Sequence, residues 1–493
     1  MKKYICMAML AAVLGSCNQN YPEAPYVGVT PSVDPETSDV NADVSVTVDM
    51  QSDMGKISNM LTGVNLLYSL EKDALWKDDP EQKMVGYLKK MKSGILRFPG
   101  GKIVEFWHWD KPNGQTSMDT WAPGYDVANN KPDSEFMSLD EYMDVVKETN
   151  AEPLVGINTS SGRIYKRVDE SVDAAKRLVQ YCLDNNYNVK YYYISNEPYH
   201  GGARQKLSAL DYAKEVNLYA EAIRSVDPNA KIVANWDRDV TSNSMKQLLV
   251  AAGKNIDVME VHWYWNQGRA SWLSWTKQLP LTAANQWYTK GKSHFEEAKK
   301  FRDFAATLGC GHIQLGSMEW NVGNSDNIST QPDSYQMAMI QGEMLMQFME
   351  AKLCMASFWA MHYRNSGALE CRHMLDENYN PRYTIDVMAM LGALQGGIML
   401  KTANSIKEVY SVVSKSDDGS LRVALLNKNI ALRKCALNFG QDLTDKNINV
   451  QSFYKEAKEG EGIVDSDYTE YTSSNGYWVV DLPPYSITVV TIK

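Results

Sequence analysis

The sequence predicts a (β/α)8 barrel followed by a C-terminal antiparallel β-sandwich. Three observations predict it. Eight short β-forming runs alternate with helical patterns across residues 44–397, the pattern of strand–helix units around a closed parallel sheet. Several of these runs end in acids, amides or imidazoles rather than in ordinary turn residues. Past Gly396-Gly397 the helical pattern stops, and alternating strands separated by turns take over.

The barrel strands are expected at residues 60–67, 94–98, 153–158, 189–195, 231–235, 258–264, 313–319 and 355–362. Helices are expected between them. Ser138-Leu139-Asp140-Glu141 reads as a capping box, with a side-chain oxygen at the first position and an acid three residues later. Ser208-Ala209-Leu210-Asp211 is a weaker version. Residues 335–350 carry Met337, Met339, Met344, Met346 and Met349, read as core filling by an adaptable side chain. In the sandwich, residues 398–493, Arg422-Val423-Ala424-Leu425-Leu426 and Tyr477-Trp478-Val479-Val480 read as strands, and Asp417-Asp418-Gly419 reads as a turn. The early run 44–50 precedes the barrel and is expected to pair with the sandwich.

Bulk properties narrow the function. The chain has 493 residues, is 44% hydrophobic and carries a net charge of −10. It is long enough for two or three globular domains. It shows no basic run interleaved with aromatics, so no nucleic-acid partner is expected. Its 13 tryptophans and 28 tyrosines suit large cores and also stacking surfaces for sugar rings. Lys2-Lys3, a short apolar stretch and Leu14-Gly15-Ser16-Cys17 read as a lipoprotein signal, residues 1–17, with Cys17 as the lipidated residue. The expected location is therefore outside the cytoplasm, on a bacterial membrane at the periplasmic face or the cell surface. The lipid is the only membrane attachment expected. Residues 18–43, rich in Pro, Asn, Ser and Thr, read as a flexible tether. Cys182, Cys310, Cys354, Cys371 and Cys435 are widely spaced. They predict no metal site and no cofactor, and leave any disulfide unassigned.

In a barrel of this kind the active site lies at the C-terminal strand ends. The second strand ends in Arg97-Phe98-Pro99-Gly100-Gly101, and the fourth in Asn196-Glu197. The sixth ends in His262-Trp263-Tyr264-Trp265, the seventh in Glu319-Trp320-Asn321, and the eighth in Trp359. Strands four and seven face each other across the mouth, so Glu197 and Glu319 are placed to flank one bond. Two carboxyl groups about 5–5.5 Å apart are what retaining glycoside hydrolysis needs, one as nucleophile and one as acid/base.

At these residues the chain resembles the clan A glycoside hydrolases. It is most similar to the family fifty-one α-L-arabinofuranosidases. The resemblance is carried by Gly55-Lys56-Ile57-Ser58 with Leu61-Thr62-Gly63-Val64-Asn65, by Leu96-Arg97-Phe98-Pro99-Gly100-Gly101 with Trp107 and Trp109-Asp110, by Asn196-Glu197, by His262-Trp263-Tyr264, by Glu319-Trp320-Asn321-Val322, and by residues 482–488. It implies Glu197 as general acid/base and Glu319 as nucleophile. It implies that Asn196 binds a sugar hydroxyl, that His262 or Tyr264 supports Glu319, and that Arg97 lies beneath the acids. Trp320 and Trp359 are expected as sugar platforms, and Asn65 and Trp109 as further substrate contacts. Trp107, Trp263 and Trp265 are divided between core and subsite.

The chain departs from the family's pattern in four places. Asn65 stands where an acid is usual, and no Gly-Pro follows Trp109-Asp110. Met318 precedes Glu319, and Pro198-Tyr199-His200 follows Glu197. Three functions follow as expectations. The first is an exo-acting glycosidase of arabinofuranosidase type on a plant or algal polysaccharide or oligosaccharide. The second is an endo-acting β-glycanase of xylanase or agarase type, with a long cleft walled by residues 272–288. The third is a non-catalytic glycan-binding lipoprotein. The sequence leaves the oligomeric state open.

Overall fold

The computed structural model describes residues 40–78, 83–111, 114, 118–200, 206–237, 239–283, 292–363, 372–376, 378–455, 471–474 and 476–493. The signal segment with Cys17, most of the tether, Cys371, and residues 284–288 of the expected cleft wall lie outside the described residues. A first strand, β1 (Val44–Asp49), precedes the barrel. Eight parallel strands then close on one another in chain order. They are β2 (Gly63–Asn65), β3 (Ile95–Phe98), β4 (Glu152–Ile157), β5 (Tyr191–Ile194), β6 (Lys231–Asn235), β7 (Val258–Trp265), β8 (Gln314–Val322) and β9 (Ala356–Phe358).

All eight expected strands are present. The first and last are shorter than expected because their ladders pass quickly to loop backbone. Leu66 N–H donates to the Arg97 carbonyl, and Met361 N–H to the Asn65 carbonyl. Side chains alternate in and out. Ile95, Leu154, Tyr193, Val233, Val258, Met318 and Met355 pack inside the barrel, while Leu96, Val155, Tyr192 and Ile232 pack outward against the helices. The helix Leu139–Thr149 opens on the full Ser138/Glu141 capping box. At Ser208 the hydroxyl caps helix Ala209–Arg224 by accepting from Asp211 N–H. The methionines of helix Ser334–Glu350 are all buried.

Past the barrel come β10 (Ile398–Asn404), β11 (Val409–Lys415), β12 (Leu421–Asn427), β13 (Arg433–Asn438), β14 (Ile448–Phe453), β15 (Tyr471–Ser474), β16 (Tyr477–Leu482) and β17 (Ser486–Ile492). Together with β1 they run in the order β14-β17-β12-β11-β10-β1-β13-β16-β15. The start of β10 pairs with β11 and its end with β1, so the array folds at β10 into two layers. Val46, Val423, Leu425, Cys435, Leu437, Val480 and Val490 fill the space between them. One pair is parallel rather than antiparallel: β1 runs alongside β13. β1 arrives from before the barrel, so no hairpin turn constrains its direction.

Candidate active site

A cleft of about 690 Å³ opens where β3, β5, β7, β8 and β9 end, with Asn196, Glu197, Tyr264, Glu319 and Trp359 on its wall. Strand period explains how β7 serves it. Glu260, His262 and Tyr264 are two residues apart and share the inner face. β8 breaks that period. Glu260 pairs with Gly316 but His262 with Glu319, and the β8–β9 register also slips between Ser317 and Trp320. The extra residue is a bulge. It lets Met318 fill the barrel interior while the next residue, Glu319, also turns inward to the cleft.

The two acids meet. Carboxylate oxygens of Glu197 and Glu319 and a ring nitrogen of His262 lie within 4.8 Å of one another. His262 Nδ1 is 2.8 Å from Glu197 Oε1 and 3.4 Å from Glu319 Oε2. Arg97 Nη1 donates to Glu319 Oε1 at 3.0 Å, and Tyr264 Oη donates to Glu319 Oε2 at 3.0 Å. Arg97 also donates to Asn65 Oδ1 at 3.0 Å and to Asn196 Oδ1 at 2.7 Å, which directs the Asn196 amide nitrogen away from itself. The guanidinium rests on the Tyr193 ring, 4.4 Å from its centroid.

Burial opposes a charge on His262. The neighbouring Glu319 and Glu260 charges and the hydrogen bond to Glu197 outweigh it and push the imidazole up to about 10. The three surrounding acids thus favour the protonated imidazole. Burial lifts the Glu319 carboxyl above its ordinary range, and the His262 and Arg97 cations pull against that rise. Burial also holds the Tyr264 hydroxyl well above its usual value, so it stays a donor to Glu319.

Trp359 forms one wall of the cleft, and a glycine admits it. A Cβ on Gly101 would stand 2.3 Å from the Trp359 ring, and Gly101 has a φ of 53°. The Gly100-Gly101 pair after β3 thus lets the indole lie directly on backbone.

Three expected substrate contacts are elsewhere. Asn65 is fully buried. Its Nδ2 is 2.8 Å from the Met318 carbonyl and 3.1 Å from that of Phe358, so it ties the barrel wall together and supports Arg97. Trp320 is fully buried, edge-on to Phe348 and Phe358. With the bulge placing Glu319 inward, Trp320 faces the helices. Trp109 donates through Nε1 to the Ala174 carbonyl at 3.1 Å and lines a separate small hollow with Trp107 and Trp121. Trp263 and Trp265 are core residues. Of the expected cleft wall at 272–288, residues 272–283 are described, and two of its tryptophans turn to the sandwich. Trp272 and Trp275 pack on each other, and both meet Tyr485 of the sandwich.

The structure adds three polar residues to those expected. Glu105 Oε1 accepts from Ser195 Oγ at 2.5 Å and from Asn196 N–H at 2.9 Å. Asn235 Oδ1 accepts from Glu197 N–H at 2.7 Å. Together they hold the turn after β5, where Ser195 and Glu197 have φ of 62° and 45°, a region that non-glycine residues rarely enter. Glu260, fully buried, lies 3.3 Å from His262 Nε2. The only signal for Glu260 in the sequence is its place two residues before His262.

Glu197, His262 and Glu319 could offer three ligand atoms to a metal ion. Arg97 already supplies positive charge to Glu319 at that point, and an ion would compete with it and with any proton on His262, so the donor set suits a carboxyl pair better than a metal.

The α-L-arabinofuranosidase 1 domain family matches residues 87–280. The chain is 22% identical over 204 residues to α-L-arabinofuranosidase C of Emericella nidulans, across 36% of this chain and 38% of the fungal one. The match thus spans well under half of that relative. The fold superposes on the GH51 α-L-arabinofuranosidase of Thermotoga petrophila with a TM-score of 0.70 at 18% identity, over 91% of this chain and 100% of the other. It also superposes on CelM2, a bifunctional glucanase-xylanase from a metagenome library, with a TM-score of 0.63 at 14% identity, over 91% and 99%. The chain is therefore similar to α-L-arabinofuranosidases in sequence over part of its barrel, and to a family fifty-one member in fold across most of its length.

Proposed function

We propose that this protein is a retaining glycoside hydrolase of α-L-arabinofuranosidase type, acting on a plant or algal polysaccharide or oligosaccharide. The observation that carries the reading is the approach of the Glu197 and Glu319 carboxylates within 4.8 Å at the mouth of a closed barrel. So close an approach suits double displacement, in which the two carboxyl groups stand about 5–5.5 Å apart.

Glu319 is the nucleophile. Its oxygens receive hydrogen bonds from Arg97 and Tyr264, which favours the anion. It attacks the anomeric carbon as the bond to the leaving oxygen breaks. Glu197 gives its proton to that oxygen, then takes one from the water that cleaves the glycosyl–enzyme ester. Charge counting supports the assignment. The cations Arg97 and His262 balance two of the three carboxyl groups Glu197, Glu260 and Glu319, and the cluster is neutral when the third carries a proton. Glu197 is the most exposed of the three, with 30% of its side chain accessible, so it is the acid that exchanges protons with substrate and water. Asn196 and Trp359 bind the sugar.

The test is Glu319→Ala with and without azide on an aryl α-L-arabinofuranoside. Turnover should vanish, and azide should restore part of it as a glycosyl azide of inverted configuration. Unchanged turnover would remove Glu319 from the mechanism. Glu197→Ala should lose more activity on poor leaving groups than on activated aryl glycosides. If the wild type ignores aryl arabinofuranosides but cuts intact polysaccharide, it is an endo-glycanase instead. Binding to glycans with no hydrolysis would make it a glycan-binding protein.

Leu14-Gly15-Ser16-Cys17 supports export and lipid attachment at Cys17. Among the described residues no helix is long and apolar enough to cross a membrane. Radiolabelled palmitate should enter the wild type and not Cys17→Ala. Equal labelling of both would rule the anchor out.

A further inference from the structure

Glu260 is the part of the buried charge cluster that the reaction does not use directly. It is fully buried. Its Oε1 receives no hydrogen bond from the described residues, and Oε2 receives only a long one from Met318 N–H at 3.4 Å. A carboxylate so placed is costly unless a cation compensates it. The guanidinium of Arg97 is committed through Nη1 and Nη2 to Asn65, Glu319 and Asn196. The imidazole of His262 is nearer to hand, with Nε2 3.3 Å from Glu260 Oε2. Strand period aims both side chains inward from β7, and the β8 bulge brings Glu319 to the other ring nitrogen.

We propose that Glu260 is a positioning residue, the counter-ion that keeps His262 doubly protonated through the catalytic cycle, so that the cluster's one mobile proton resides on Glu197. This rests on the glycosidase reading. His262 Nδ1–H then remains a donor to Glu197 Oε1, at 2.8 Å, whether Glu197 is acid or carboxylate. When Glu197 protonates the leaving oxygen, the new negative charge forms beside a fixed cation. Without Glu260 one of the two anions that hold the imidazole proton is gone, so His262 would lose that proton at lower pH and its support for the Glu197 carboxylate would weaken. The other titratable or charged groups around the pair are Arg97 from β3, Tyr193 from β5, Glu197 from the turn after it, Tyr212 from helix Ala209–Arg224, Tyr264 from β7 and Glu319 from β8. The rise of the His262 pKa to about 10 agrees with this arrangement.

The experiment is an NMR titration of ¹⁵N-histidine-labelled wild type, Glu260→Gln and Glu260→Asp, with the His262 signal assigned by its loss in His262→Gln. His262 should stay an imidazolium past pH 8 in the wild type. It should lose its proton at least one pH unit lower in Glu260→Gln, and Glu260→Asp should recover most of that difference. The alkaline limb of the kcat/KM profile on a poor leaving group should move to lower pH in Glu260→Gln by a similar interval. A neutral His262 in the wild type at pH 8 overturns the proposal. So does an unchanged titration in Glu260→Gln, or a uniform fall in rate with no shift of the limb. If Glu260→Gln does not fold, the wild-type and Glu260→Asp titrations still decide. The titration needs no substrate, so a failure to find any hydrolysed glycan would count against the glycosidase reading alone.

Discussion

His262 touches three acids at once, and this makes its proton a stability term as well as a catalytic one. Its folded value is pushed up to about 10, against roughly 6.5 for an exposed histidine. A group raised on folding contributes stability that is complete below its unfolded value and is lost as pH climbs through its folded value. The window is therefore from about pH 6.5 to about pH 10. Thermal unfolding of the wild type should fall more steeply between pH 7 and pH 10 than that of His262→Gln, measured by calorimetry in matched buffers. Parallel curves would show that the imidazolium contributes nothing to the fold.

At the level of elements, the turn after β5 decides where the acid/base stands. Glu105, 91 positions before Asn196, accepts the Ser195 hydroxyl and the Asn196 N–H and so supports a turn in which Ser195 and Glu197 have positive φ. Glu105→Leu removes the acceptor shared by the Ser195 hydroxyl and the Asn196 N–H, so the turn should relax. A displacement of about 1 Å at reacting groups costs on the order of 10²-fold in rate. kcat should fall by about that factor while the circular dichroism spectrum is retained, and full activity would mean that β5 holds Glu197 without help. The sequence made the existence of β5 and the acid at its end readable, because Tyr191-Tyr192-Tyr193-Ile194 is β-forming and Asn196-Glu197-Pro198 breaks it. It could not show Glu105, because that contact exists only once the barrel closes. The same limit explains Trp320 and Trp359. Trp320 lies within β8 and Trp359 just past β9, and a one-residue bulge in β8 sends Trp320 into the core. Trp359 reaches the cleft because Gly101, far away in sequence, leaves room for it. Asn65 was legible as a strand-end amide, but its commitment to three neighbouring carbonyls was not.

For the whole molecule, the sandwich is part of the barrel's own packing. Tyr410, Val412, Leu426, Phe453 and Ile487 belong to the same apolar core as the barrel helices. Gly342 on helix Ser334–Glu350 makes room for Ile487, whose side chain would meet a Cβ there at 2.3 Å. A buried ion pair closes the seam. Lys428, just past β12, lies 2.8 Å from Glu343 Oε2 on that helix and 4.4 Å from the centre of the Trp275 ring. Glu343 also accepts from Trp275 Nε1 at 2.6 Å and from Leu281 N–H at 2.8 Å. Burial pulls the Lys428 ammonium below its ordinary value while Glu343 pushes back, so each charge depends on the other. Removing one partner of such a pair costs about 3–5 kcal/mol, because the charge left behind is buried and unpaired. Lys428→Met should therefore lower stability by about that amount in a single unfolding transition of the full chain. Lys428→Met combined with Glu343→Gln should recover part of the loss, since it removes the stranded charge while the one Gln oxygen still accepts from either Trp275 or Leu281. Two separate transitions in the wild type, or a Lys428→Met variant as stable as its parent, would mean that the sandwich folds apart from the barrel and that the seam is mere contact.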